Sequence, residues 1–373
     1  MINEKRLLDE FLELVKTDSQ TGEEREICDL LKEKLSLLGF DVVEDDSAST
    51  TGHGSGNLIA TLKGTVPEAS SIYFTCHMDT VAPGKGVQPQ VEGGYIRSDG
   101  TTILGSDDKA GLAALIEGIK VVREQNLPHG NIQLIITAGE ESGLVGAKSL
   151  DQSLIQADFG FALDSDGPVG DIVIAAPSQV KVHAEIHGKA AHAGVNPEDG
   201  VSAIQVASRA ISNMKLGRID DETTANIGRF EGGGATNVVT DYVEILAEAR
   251  SRETEKLNRQ AEHMVSAFKQ AAEELNGRAD VTVEVMYPSF KYSESDEVVQ
   301  KAIAAVNKIR RKPRLLASGG GSDANIINGY GIPTVNLGIG YENIHTTSEC
   351  MPIEELNKAA ELVVALIDVS QER

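Results

Sequence analysis

Ile72-Tyr73-Phe74-Thr75-Cys76-His77-Met78-Asp79 is the stretch whose reading decides the fold. Ile72–Cys76 has no polar alternation, which suits a strand buried on both faces of a helix-covered sheet. A histidine and an aspartate follow at its carboxyl end. Similar runs recur at Leu58–Leu62, Ile132–Thr137, Phe159–Leu163 and Thr334–Leu337. Helical spacing separates them. Leu7, Leu8, Phe11, Leu12 and Val15 mark a first helix, Glu23–Leu38 a second, and Ala110–Glu124 the clearest one. Thr21 with Glu24 reads as a capping box and Gly39 as a stop. This alternation predicts an α/β fold, a doubly wound domain with a largely parallel sheet.

The texture changes near Ser178. Val180–Ile186 alternates as a strand wetted on one face does. A helix is predicted over Val201–Met214, strands at Ala225–Phe230 and Tyr242–Ala249, a long helix over Glu253–Asn276, and a strand at Val281–Met286. The order β-α-β-β-α-β is that of a ferredoxin-like α+β unit. The α/β texture then resumes, with helices at about Asp296–Arg310 and Ile353–Val369. The expected organisation is a catalytic domain of residues 1–177 plus 289–373, interrupted by an inserted domain of residues 178–288. A length of 373 residues suits two domains.

Bulk properties narrow the function. There are 34 Lys and Arg against 57 Asp and Glu, a formal charge of −23. Nucleic acid and anionic membrane both need a basic footprint, so neither is an expected partner. No apolar run approaches the roughly 18 residues of a membrane span. The mixed-charge start Met1–Arg6 enters an amphipathic helix and does not read as a signal peptide. Cys28, Cys76 and Cys350 form no disulfide framework or zinc knuckle and read as reduced thiols, which points to the cytoplasm.

Ligands of open parallel sheets bind beyond the strands' carboxyl ends. There the sequence places His77 and Asp79, Glu140-Glu141, Asp164 with Asp166, and, after Gly338–Asn343, His345; Asp107-Asp108 stand where a loop enters the Ala110 helix. Imidazole and carboxylate are the ligands of a catalytic zinc. Two histidines and three carboxylates serve two such sites if one carboxylate bridges. With a shared hydroxide they neutralise two dications, which a dry cleft favours. Position alone leaves Asp107 against Asp108, and Asp164 against Asp166, open.

These residues resemble the M20 metallopeptidases along essentially the whole chain. The resemblance rests on Cys76–Thr80, Gly105–Gly111, Glu140-Glu141, Asp164, Gly188–Gly194 and the late His345. It implies two zinc ions per chain, with cobalt or manganese as substitutes. His77 and Asp164 would hold one, Glu141 and His345 the other, and Asp107 would bridge. Glu140 would be the general base, and Asp79 would hydrogen-bond the other nitrogen of the His77 ring and fix its tautomer. A cis peptide is implied at Asp107–Asp108. In the inserted domain, His192 would polarise the scissile carbonyl from a dimer partner, Asn237 would contact substrate, and Arg250 would take a substrate carboxylate. Gly319–Asp323 is expected to be a substrate-contacting loop.

Within the family the resemblance is to the peptidase T branch, tripeptide aminopeptidases acting on small peptides. Asp164-Ser165-Asp166 and Gly321–Asn325 depart from that branch's pattern and border the pocket. Their alternative is an aminoacylase, dipeptidase or carboxypeptidase acting on N-acyl amino acids or dipeptides.

Overall fold

In the computed structural model, which describes residues 1–371, the decisive strand runs Ile72–His77, so His77 is its last member. All six residues are buried. It lies parallel to Ile132–Thr137 on one side and to Phe159–Ser165 on the other, and Thr334–Gly338 continues the parallel run. Antiparallel strands flank this centre: Leu58–Leu62 and Asp41–Glu44 on one side, Asp171–Ala176 on the other. Arg314–Ala317 pairs parallel to Asp171–Ala176. The sheet is therefore largely parallel, and its register matters for chemistry. His77 is paired with Thr137 and Thr75 with Ala162. Asp164 is thus brought level with His77, and Glu140 and Glu141 emerge just beyond the next strand.

The helices Glu4–Lys16, Arg25–Leu37, Ser106–Glu124, Glu297–Lys308 and Ile353–Val369 bury their apolar faces in one core that includes Phe11, Phe74, Leu115, Phe161 and Val363. Burial of each such side chain contributes roughly 1.5–3 kcal/mol. This first unit comprises Met1–Ala175, Tyr292–Ala317 and the chain from Ser322 onward.

The second unit comprises Ala176–Lys291 with Ser318–Gly321. Its sheet runs in the order Gly217–Arg218, Thr223–Gly232, Tyr242–Ser251, Ser178–His187, Arg278–Tyr287, with every neighbour antiparallel. The helices Ala203–Ser212 and Thr254–Glu274 seal one face, where Val182, Ile186 and Ile245 pack with Met264 and Phe268. Lys181 is exposed and His183 and Glu185 half-buried, between the buried Val180, Val182, Ala184 and Ile186. That alternation is the one-sided wetting read from the sequence.

Three local readings change. The predicted capping box does not form: the helix begins after Glu24, whose carboxylate does not cap it but accepts the N–H groups of Gly22 and Gly54 at 2.5 and 2.9 Å. Beyond the expected Gly319–Asp323 loop, Asp323–Gly329 forms a helix that was not foreseen, with its own capping box joining Ser322 and Asn325. A small sheet of Gln90–Glu92, Tyr95–Arg97 and Cys350–Pro352 was not foreseen. All three cysteines are free and buried. Among the described residues no helix is long and apolar enough to cross a membrane.

Candidate metal centre

His77 owes its orientation to the chain immediately after it. Its Nδ1 lies 2.9 Å from the main-chain carbonyl of Asp79, the geometry of an N–H donated to that oxygen. A donor at Nδ1 leaves the Nε2 lone pair free to bind a cation. The Asp79 carboxylate is 3.6 Å from Nδ1, too far for a hydrogen bond. It instead accepts the N–H groups of Glu140 and Glu141, at 3.0 and 3.2 Å. Asp79 thus holds two neighbours at once, the ring through its carbonyl and the Glu140-Glu141 turn through its carboxylate.

Asp107 stands at the start of the Ser106–Glu124 helix, where its φ and ψ, −84° and 102°, are not helical. The peptide that follows it is cis, as the resemblance implies. Gly111 lets this segment lie close to the strand ends, for a Cβ there would sit 2.4 Å from Asp108 Oδ1 and 2.7 Å from the Leu163 carbonyl. The result is a carboxylate divided between two imidazoles. Asp107 Oδ1 is 3.0 Å from His77 Nε2, and Oδ2 is 3.3 Å from His345 Nε2. Asp108 points elsewhere, accepting the His77 main-chain N–H at 3.3 Å.

The remaining predicted ligands complete two groups. Asp164 Oδ1 lies 3.8 Å from His77 Nε2, and Tyr341 donates its hydroxyl to that oxygen at 3.3 Å. Asp166 is exposed. Glu141 Oε1 is 3.0 Å from His345 Nε2. His345 has φ of 61°, a left-handed conformation that a residue with a Cβ rarely adopts and that functional positions often hold. His77, Asp107 and Asp164 therefore offer ligand atoms within 4.8 Å of one another, and Asp107, Glu141 and His345 do the same. Glu140 belongs to a third such set with His77 and Glu141.

The electrostatics are those of a crowded anionic pocket. Burial pushes the carboxyls of Asp164 and Glu140 well above their usual range; neighbouring carboxylates add to this, and His77 opposes it. Burial also raises Asp107, but contact with His345 and His77 outweighs it and the net direction is down. His345 is pushed up to about 10 by Asp107 and Glu141. Burial lowers His77, yet Asp107 and Asp79 carry it well above the ordinary value. Buried carboxylates converging on two imidazoles form the oxygen and nitrogen donor set of a pair of divalent cations, whose charge would relieve the repulsion. The donor set fits two metals sharing Asp107.

The predicted substrate contacts lie in the second unit. His192 and Asn237 are exposed and sit on facing loops, joined by the Ala193 N–H donated to the Asn237 carbonyl at 2.9 Å and a bridge between His192 and Val238. The Arg250 guanidinium already grips Glu248, Nε to Oε1 at 2.9 Å and Nη2 to Oε2 at 3.1 Å, while Nη1 approaches the Gly319 carbonyl at 3.4 Å. Glu248 was not singled out from the sequence, although two residues apart on a strand means the same face. Tyr341 and Glu349, both buried beside the metal centre, were also missed.

An α/β sheet with two imidazoles sharing one carboxylate at its carboxyl edge is the architecture of a two-metal hydrolase. The chain belongs to peptidase family M20/M25/M40, whose model matches residues 73–369. It is 64% identical over 368 residues, 99% of each chain, to the Bacillus subtilis protein YqjE, described as uncharacterized. The crystal structure of aminopeptidase PepT from Bacillus cereus is similar at 60% identity, with a TM-score of 0.95 and 99% of each chain covered. That of a tripeptidase from Staphylococcus aureus is similar at 52% identity, with a TM-score of 0.98 and 100% of each chain covered.

Proposed function

We propose that this peptidase is an aminopeptidase releasing the first residue of small peptides, tripeptides foremost, with two zinc ions in the cytoplasm. The observation that carries the reading is the Asp107 carboxylate, with one oxygen facing each imidazole. The similarity to an aminopeptidase and a tripeptidase at 60% and 52% identity supports the substrate class.

His77 and Asp164 would hold one cation, Glu141 and His345 the other, and Asp107 both. When bound, such a pair supplies an acidified water and polarises the scissile carbonyl. Glu140 is the residue to take the proton of the attacking water and return it to the leaving amine, since its carboxylate stands beside the ligands without belonging to either set around Asp107. Asp79 keeps Glu140 in place through the amide it binds. In the second unit, Arg250 Nη1 would receive the substrate's terminal carboxylate and Asn237 a main-chain group. His192 would polarise the carbonyl in a partner's site, in a homodimer formed through this unit. The exposure of Val195 and Val238 beside it supports that reading.

The test is a panel of tripeptides, dipeptides and N-acyl amino acids, each offered to metal-loaded protein. Tripeptides should be cleaved fastest, with the free N-terminal residue as product. Cleavage of N-acyl amino acids without tripeptide cleavage would replace this reading with the aminoacylase one.

A further inference from the structure

The Ser106–Glu124 helix begins without a cap of its own, because its N-cap is Gly105. An uncapped helix start leaves several main-chain N–H groups without acceptors. Here the acceptor arrives from far along the chain. Glu349 is 1% exposed, and its Oε2 accepts the N–H groups of Leu104 and Gly105, both at 2.8 Å. Its Oε1 accepts the Ser106 hydroxyl at 2.6 Å and the Asp107 N–H at 3.1 Å. Four consecutive residues thus donate to one buried carboxylate. Hydrogen bonds to an ionised acceptor are about twice as strong as neutral ones, and an anion suits a helix start.

Glu349 also closes the loop that carries His345. Its N–H donates to the Thr346 carbonyl at 3.1 Å. On either side of this turn Glu342 and Cys350 exchange main-chain hydrogen bonds of 2.9 and 3.0 Å, which pins both ends of the loop. The same residue is therefore anchored in the His345 loop by its backbone and in the Asp107 segment by its side chain.

We propose that Glu349 is a positioning residue that locks the Asp107 segment to the His345 loop, so the shared carboxylate and the second imidazole are set before a cation binds. The inference rests on the ligand assignment made above. It predicts an asymmetry. The site of Asp107, Glu141 and His345 draws two of its three ligands from segments that Glu349 holds, and the site of His77, Asp107 and Asp164 only one.

The experiment is a cobalt(II) titration of metal-stripped full-length protein, read by calorimetry and by the visible absorption of each bound ion. The unchanged protein should bind two ions per chain. Glu349→Gln keeps the shape of the side chain but puts an amide group against donors. It should weaken one of the two steps by about 10–100-fold and alter that ion's spectrum, leaving the other step within about threefold. Ser106→Ala removes a single donor and should weaken the same step by about threefold, so the test survives if Glu349→Gln does not fold. Glu117→Gln is the comparison for a purely structural role. Glu117 is equally buried and binds the Arg6 guanidinium and the Asn3 N–H. That change should lower the melting temperature and leave both steps intact. If Glu349→Gln and Ser106→Ala behave like Glu117→Gln, the positioning role is wrong while the ligand assignment stands. If the unchanged protein binds fewer than two ions, the assignment fails and takes this inference with it.

Discussion

The two sets of candidate residues are held in opposite ways. In the first unit, His77 has its ring fixed by the Asp79 carbonyl, and the Glu140-Glu141 turn is fixed by the Asp79 carboxylate. Asp107 is held through its main-chain N–H by the Glu349 carboxylate, and His345 is kept in a left-handed conformation. In the second unit, His192 and Asn237 are exposed, and Arg250 is committed to Glu248. Groups that must meet a small cation within a few tenths of an ångström need this kind of support. Groups that meet a flexible peptide tolerate a looser hold, and their order can come from the substrate itself.

The contrast can be broken by substitution. Glu140→Ala should have the largest effect, lowering turnover about a thousandfold while metal content stays at two per chain, because a general base contributes to the transition state and not to ligation. Elemental analysis alongside the assay separates the two. A variant that lost metal as well would make Glu140 a ligand. Next in size is Arg250→Ala. A hydrogen bond to a charged partner is worth about 1.5–3 kcal/mol, so KM for tripeptides should rise about 10–100-fold with kcat little changed. Tripeptides with an amidated C-terminus should show no difference between variant and parent. Equal loss on both substrates would assign Arg250 to packing with Glu248.

The smallest expected effect sharpens the picture of the first unit. Asp323 is buried, its Oδ2 contacts the Thr137 hydroxyl, and burial pushes its carboxyl up to about 6. An acid whose folded value lies above its unfolded value of 3.8 favours the folded state while protonated. Metal-stripped protein should therefore lose stability as pH rises from about 4 to 6, and Asp323→Asn should flatten that slope in denaturant titrations. An unchanged slope would place the titrating group elsewhere.

Much of the first unit was legible because two periodicities carried it. Unbroken apolar runs marked the parallel strands, and the residues just past their ends were candidates by topology alone. The choice between Asp107 and Asp108 was not legible, since neither residue is helical and helical register says nothing about which carboxylate turns inward. The His345 loop resisted for a related reason. Ser348-Glu349-Cys350 reads as an ordinary polar turn, and its meaning depends on donors 242 to 245 positions earlier. In the second unit, alternation exposed the strand faces, yet the Arg250–Glu248 fork went unread although both residues share one face. Asp79 was legible as the partner of the second His77 ring nitrogen, but sequence spacing cannot say whether its carbonyl or its carboxylate makes that contact.

Anomalous-difference maps from crystals of the protein prepared with zinc test the account most directly. The expected result is two peaks about 3.5–4 Å apart, one on either side of the Asp107 carboxylate, with His77 at one and His345 at the other. A single peak, or two peaks that do not share Asp107, would contradict it.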